Sequence, residues 1–385
     1  MEPIDDLDRL ADELERINRE GVPRNTGFEV LLRRMAERHA SDLLLVAGEP
    51  PIFRVHGAVH RADAAVLDGE DIEQLVMPML PAHAQRTFRE TGIADAGIRL
   101  PEVGRFRANL HYERGRAAAV VRMLPSVVPR LASLNLPPGS DALTRLGSGL
   151  VLIGGATGSG KTTTMAALVE EINRRDAKHI ITIEAPIEFE HTNQRSIIQQ
   201  VEVGIDAPDF PTALRSALRQ APDVIVIGEM RDPETMRIAL AAGETGHLVF
   251  STLHTTDVPS TIGRLTDSFP PERQATIRQE IAASLTAVYV QTLLSRAGGG
   301  RVPAAQLLMM GYGARQHVRR NMLQHLHQEI TITRKHGSFT LEECLARLVK
   351  AGTVERAEAA LRAQHADDFE HALATESKPA GPSAT

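Results

Sequence analysis

The sequence predicts an α/β protein in two folded parts, with a parallel sheet in the second and larger part. Three observations carry this expectation. Apolar runs at 150–153, 180–183, 224–227 and 248–251 alternate with helical segments, the pattern of buried parallel strands joined by crossover helices. A glycine-rich turn follows the first of these runs and opens the helix after it. Ahead of both, Pro125, Pro129, Pro137, Pro138 and Gly139 cluster between 125 and 139. Proline removes backbone donors and restricts its predecessor, so regular structure should break there.

Taken in order, residues 1–26 read as a polar helical arm with a break near Pro23. A small α+β domain is expected over 27–124. It opens with a helix over 27–39, in which Phe28, Leu31, Leu32 and Met35 fall at helical spacing. Strands at 41–47 and 52–55 follow, parted by Gly48, Pro50 and Pro51. Helices are expected at 72–79 and 84–90, and strands at 104–111 and 117–123. Residues 125–139 form the linker, and 140–312 the parallel α/β domain. A helical subdomain is expected over 313–375, where Thr340 and Glu343 make a capping box ahead of Leu341, Leu345 and Leu348. Residues 376–385 read as a disordered tail, and no internal repeat is visible.

Composition narrows the function classes. A chain of 385 residues has two domains as its prior expectation. With 42% hydrophobic and 24% charged residues it can bury a real core. Aromatics are 3% with no Trp, too few faces for stacking single-stranded nucleic acid. A formal charge of −6 makes a poor general polyanion binder, so no nucleic-acid partner is expected. Cys344 is the sole cysteine, which excludes an internal disulfide and a multi-cysteine zinc site. Residues 1–20 are acidic and interrupted by charge, unlike a signal peptide, and no apolar run reaches a membrane span. A cytoplasmic protein is expected, meeting a membrane only through a partner.

The sharpest motif is Gly155-Ala156-Thr157-Gly158-Ser159-Gly160-Lys161-Thr162, followed by Thr163. It fits G-x-x-x-x-G-K-[ST] without a mismatch. An apolar strand precedes it, and Met165, Leu168, Val169 and Ile172 line one face of the helix after it. Glycines let backbone N–H groups converge on phosphate oxygens with no Cβ in the way, and the helix N-terminus adds partial positive charge. Lys161 would reach the β- and γ-phosphates of ATP, and the Thr162 hydroxyl would ligate Mg²⁺. The bland alternative, an ordinary glycine-rich turn, does not account for the strand before and the amphipathic helix after.

Hydrolysis needs acids as well. The run 223–227 leads through Gly228 to Glu229, and ligands sit at the carboxyl ends of such strands. Glu229 is expected to face the γ-phosphate and hold Mg²⁺ through water, from a strand beside the phosphate loop. Gly228 stands where an acidic residue is usual. Glu184 and Glu188 follow the run 179–183 and offer a second acidic pair, one of which would orient the attacking water. Each glutamate read singly could equally be a solvated loop carboxylate.

These motifs resemble the type IV pilus retraction ATPases of the PilT/PilU kind, within the larger secretion ATPase family. The likeness rests on the phosphate loop and on Ile183-Glu184-Ala185-Pro186-Ile187-Glu188-Phe189. It rests also on the stretch from Leu214-Arg215-Ser216 to Gly228-Glu229-Met230-Arg231-Asp232, and on Glu244-Thr245-Gly246-His247 running through to His254. It covers about 27–360 and is most specific in 150–270. The resemblance implies a PAS-like N-terminal domain, a RecA-like P-loop motor domain and a homo-hexameric ring. It implies that Glu188 is the catalytic glutamate, Glu229 the Walker B glutamate, and His247 with His254 a nucleotide-sensing histidine box. It implies too that Arg105, Arg107 and Arg122 come over the phosphates, where such guanidinium groups are worth ~10³–10⁵ in rate. Read alone, each arginine could be a strand residue with a solvated head. A metal pair at the histidines lacks acidic or cysteine companions.

Three positions depart from the family pattern. Ala185 replaces the aspartate of Glu-Asp-Pro, Ser148 stands where an arginine is frequent, and 313–319 replaces Ala-Ile-Arg-Asn-Leu-Ile-Arg. Stretches 203–206 and 218–223 look more like the accessory PilU paralogues. The function implied is a hexameric ATP-hydrolysing motor for pilus retraction and twitching motility. It would sit beneath the inner membrane, against a platform protein and with a paralogous retraction ATPase as a further partner. The alternatives are an accessory nucleotide-binding paralogue with weak turnover, a type II secretion or pilus-assembly ATPase, and a RecA-like DNA motor. The assembly enzymes usually carry four zinc-binding cysteines, which one cysteine cannot supply. For the DNA motor, Arg315, Arg319, Arg320, Arg334 and Lys335 are the basic candidates, with an exposed helix or subunit contact as the bland reading.

Overall fold

The structure is a computed structural model that describes residues 25–375. The expected arm ahead of residue 25 and the tail from 376 lie outside the described residues. Two compact units emerge: one runs to Val127 and includes Pro186–Glu190, and the other holds Val128–Ala185 and the chain from His191 onward.

The N-terminal unit contains α1 (Asn25–Glu37), β1 (Asp42–Leu45), β2 (Ile52–Val55), β3 (Ala58–Arg61), α2 (Gly69–Val76), α3 (Ala82–Thr91), β4 (Ile93–Leu100), β5 (Gly104–Glu113) and β6 (Arg116–Leu124). The strands form one antiparallel sheet in the order β3-β2-β1-β6-β5-β4. Phe28, Leu31, Leu32 and Met35 pack on Phe53, Phe88 and Phe106, so the apolar face of α1 covers one side of the sheet. Two strands were not expected from the sequence. β3 is exposed along its whole length and therefore shows no inward–outward alternation. The positive φ values of His56 and Gly57 close its two-residue hairpin with β2. In β4 the alternation is real, but two of its inward residues are Ala94 and Ala96, which carry little hydrophobic signal.

The second unit runs β7 (Gly149–Gly154), α4 (Lys161–Arg175), β8 (His179–Glu184), β9 (Ile197–Glu202), α5 (Phe210–Ala217), β10 (Val224–Ile227), α6 (Pro233–Glu244), β11 (Leu248–Leu253), α7 (Val258–Asp267), α8 (Pro271–Ser284), β12 (Leu285–Ser295) and β13 (Arg301–Met309). Its sheet has the order β13-β12-β7-β11-β10-β8-β9, parallel throughout except for the β12–β13 pair. The four apolar runs are the four central strands. Alternate residues feed opposite cores. Leu150, Leu152, Ile225 and Ile227 enter one, while Val151, Ile153, Val224 and Val226 enter the other. This is why these strands read as unbroken apolar runs.

One expectation is corrected here. The strand leading to Glu229 does not lie beside the phosphate-loop strand, because β11 stands between β10 and β7. The crossover helix α6 makes room for this order. Gly243 lies against the backbone of β7, where a Cβ would sit 3.0 Å from the Leu150 nitrogen. The chain leaving α6 therefore enters the sheet directly next to β7.

Beyond the sheet come α9 (Tyr312–Arg319), α10 (Leu326–Ile332), α11 (Leu341–Lys350), α12 (Arg356–Arg362) and α13 (Ala366–Ala374). The capping box at Thr340 and Glu343 is present. Leu341, Cys344, Leu345 and Phe369 pack on Leu294, Val302 and Ala304 of the β12–β13 hairpin.

Candidate nucleotide-binding site

The phosphate loop joins Gly154 of β7 to Lys161 of α4. Its conformation demands glycine. Gly158 and Gly160 have φ of +78° and +88°, in the left-handed region. At Gly155 a Cβ would stand 2.3 Å from Ser159 Oγ and 2.6 Å from the Gln291 carbonyl oxygen. The Lys161 ammonium is buried and donates to the carbonyls of Gly155 (2.7 Å) and Ala156 (3.0 Å). Ser159 Oγ is buried without a protein hydrogen-bond partner. A buried hydroxyl costs free energy unless something meets it. An orphan hydroxyl, a buried ammonium and a helix N-terminus around one glycine cradle fit a polyphosphate anion.

Gln291 of β12 braces the loop, and no motif announced it. Its amide Nε2 donates to the Ser159 carbonyl (2.7 Å) and its Oε1 accepts from Thr164 Oγ1 (2.8 Å). The hint in the sequence is a glutamine within a largely apolar strand.

Around the loop, Thr157 Oγ1 and His254 Nδ1 are 3.4 Å apart, and His254 follows directly on β11. Burial first, then the Lys161 charge, hold its imidazole below the usual histidine range, while Glu229 pulls the other way. Glu229 lies just past β10 and pairs with Arg231 at 2.6 Å. Thr252 Oγ1 donates to the Gly228 carbonyl at 2.6 Å, tying the His254 and Glu229 segments together. Glu184 ends β8, buried, and accepts from Thr182 Oγ1 at 2.8 Å.

The two histidines of the expected box flank one strand. His247 precedes β11 and His254 follows it, so the strand separates them by roughly 20 Å. Within the unit only His254 stands at the phosphate loop. His247 sits at the opposite end, with Nδ1 3.2 Å from the Ala242 carbonyl. The acidic pair divides likewise: Glu184 belongs to the second unit, and Glu188 to the segment counted with the first.

Arg105, Arg107 and Arg122 share one face of the N-terminal sheet. Arg107 pairs in register with Arg122, and Arg105 is two residues before it on β5. Adjacent like charges need counter-ions. Arg122 has Asp42 at 2.8 Å and Arg107 has Asp95 at 3.5 Å. The side chains of Arg122 and Arg107 stay 67% and 42% exposed, so their heads reach solvent. Arg105 is only 14% exposed. It donates to the carbonyls of Ile187 and Glu188 and pairs with Glu190 at 3.3 Å. It thus grips the short segment that carries Glu188, which the sequence did not foresee.

The loop, the sheet order and the acids at strand ends define a P-loop nucleotide-binding protein of the α/β class. The chain belongs to the family described as type II/IV secretion system protein, whose profile matches residues 99–364. It is 40% identical over 339 residues to the type IV pilus retraction ATPase PilT of Pseudomonas aeruginosa, covering 88% of this chain and 98% of that protein. It is 35% identical to the type IV pilus ATPase PilU of the same organism, covering 89% and 90%. A crystal structure of the pilus retraction motor PilT with bound ADP superposes with a TM-score of 0.80 at 37% identity, covering 89% of this chain and 98% of that one. Among the described residues, no helix is long and apolar enough to cross a membrane.

Proposed function

We propose that this chain is an ATP-hydrolysing motor that drives type IV pilus retraction, working as a homo-hexamer in the cytoplasm against an inner-membrane platform protein. The observation that carries the reading is the phosphate cradle around Lys161 and Ser159, in a chain similar along nearly its whole length to a retraction ATPase. ATP is the substrate, held by Gly155 through Thr163. Thr162 and Glu229 would hold Mg²⁺, which would neutralise charge on the triphosphate. Glu188 positions water, His254 reads the occupancy of the loop, and the solvent-reaching heads of Arg107 and Arg122 meet phosphoryl charge. Arg105 positions the Glu188 segment. The working parts are an N-terminal domain over 27–124, a linker over 125–139, a motor over 140–312 and a helical subdomain over 313–375.

Ala185 favours one second reading, an accessory motor with weak turnover beside a paralogous ATPase, since a carboxylate near the metal is missing there. The DNA-motor reading loses two of its five candidate cations. Arg315 donates to the carbonyls of Ala282 and Ala283 at the end of α8, and burial lowers its pKa. Arg334 is taken up by Glu343 at 2.5 Å.

The test is phosphate release by the purified protein together with pilus retraction in a deletion strain. Lys161→Ala is expected to abolish both with the circular-dichroism spectrum unchanged. A Lys161→Ala protein that turns over ATP normally contradicts the site. Rescue of retraction by Glu188→Gln assigns the accessory role.

A further inference from the structure

We infer that His327, His365 and Asp368 form a divalent-cation site of the zinc class on the C-terminal helical subdomain. One ligand atom from each of the three lies within 4.8 Å of the others. His327 comes from α10, Asp368 from the first turn of α13, and His365 from the turn just before that helix. Three separate backbone positions therefore converge on one point.

The geometry is near that of a metal shell. Zinc bonds of roughly 2.0–2.2 Å set neighbouring tetrahedral ligand atoms about 3.3 Å apart. His327 Nε2 and Asp368 Oδ2 are already 2.9 Å apart. The imidazole of His365 lies against that of His327, with ring centroids 3.9 Å apart. Two imidazole nitrogens with one carboxylate suit zinc, cobalt or nickel far better than magnesium or calcium. His365 and Asp368 are exposed, so a fourth position is open to water.

The turn that presents His365 is built rather than loose. Glu342, 1% exposed, accepts from the backbone nitrogens of Gln364 and His365 at 3.1 Å each. Gln364 also donates through Nε2 to the Thr256 carbonyl at 2.9 Å. Thr256 is two residues past His254, so an ion here stiffens a turn that touches the segment leaving β11, which carries His254 to the phosphate loop. The site would cross-link α10 to the α13 turn.

Isothermal titration of the full chain with zinc chloride, with Mg²⁺ and ADP saturating the phosphate loop, tests this. About one zinc per chain is expected, with a thermal-unfolding midpoint that rises on addition. Cobalt at the same site should give the intense visible absorption of a tetrahedral ion. H365A and D368N are each expected to lose at least ~10-fold in affinity and the midpoint rise, while H365C retains both, because a thiolate also ligates zinc. Both mutated side chains are exposed, so the variants should keep the wild-type circular-dichroism spectrum. Zinc binding that is unchanged in H365A, or absent from the wild type, overturns the proposal.

Discussion

At the scale of single residues, Gln291 shows how much of a loop's shape is set from outside it. It closes one hydrogen bond to the Ser159 carbonyl and one to Thr164. Gln291→Leu would leave both groups buried and unmet, a cost of about 1–3 kcal/mol. Urea unfolding should show that loss, and nucleotide affinity should fall with it. An unchanged midpoint would mean the loop holds its shape alone. His191 makes a second residue-level prediction. Its ring is buried, and burial outweighs the nearby Glu170 to hold its pKa below 6.5. As pH falls below 6.5, the unfolded chain takes up a proton that the folded one resists, so stability declines until the folded-state pKa is passed. Unfolding free energies measured at about pH 7.5 and about pH 5.5 should differ less in His191→Gln than in the wild type. The phosphate loop was legible because its chemistry is written in contiguous residues. Gln291 and the His327–His365–Asp368 cluster were not, because their partners are distant in the chain.

Among the elements, α6 meets β7 through one close approach, at Gly243. Gly243→Leu would drive a side chain into the backbone of Gly149 and Leu150 and should destabilise the second unit by about 2 kcal/mol or more. A wild-type thermal midpoint in that variant would show that α6 can lift away freely. The capping box is a milder case: Thr340→Ala should cost about 1 kcal/mol in chemical denaturation. Strand identity was legible where burial on both faces left unbroken apolar runs. Strand order was not, since a run such as 224–227 carries no mark of its neighbour. β3 was hidden by exposure and β4 by its alanines, for in both the side chains say little about facing.

For the molecule as a whole, the division into an antiparallel N-terminal unit and a larger parallel unit follows from where apolar residues recur and where prolines interrupt them. The groups proposed for catalysis are spread over both units: the cradle, Glu229 and His254 in one, the arginine face and the Glu188 segment in the other. Spacing could not reveal that Arg105 clasps the Glu188 segment, whose contacts are made over eighty residues away in sequence. The most direct measurement is steady-state phosphate release by the purified chain, wild type against Glu188→Gln, at saturating ATP and Mg²⁺. Turnover by the wild type with a loss of at least ~100-fold in the variant is the expected result. Equal turnover in both would contradict Glu188 as the water-positioning group, and no turnover in the wild type would contradict the motor itself.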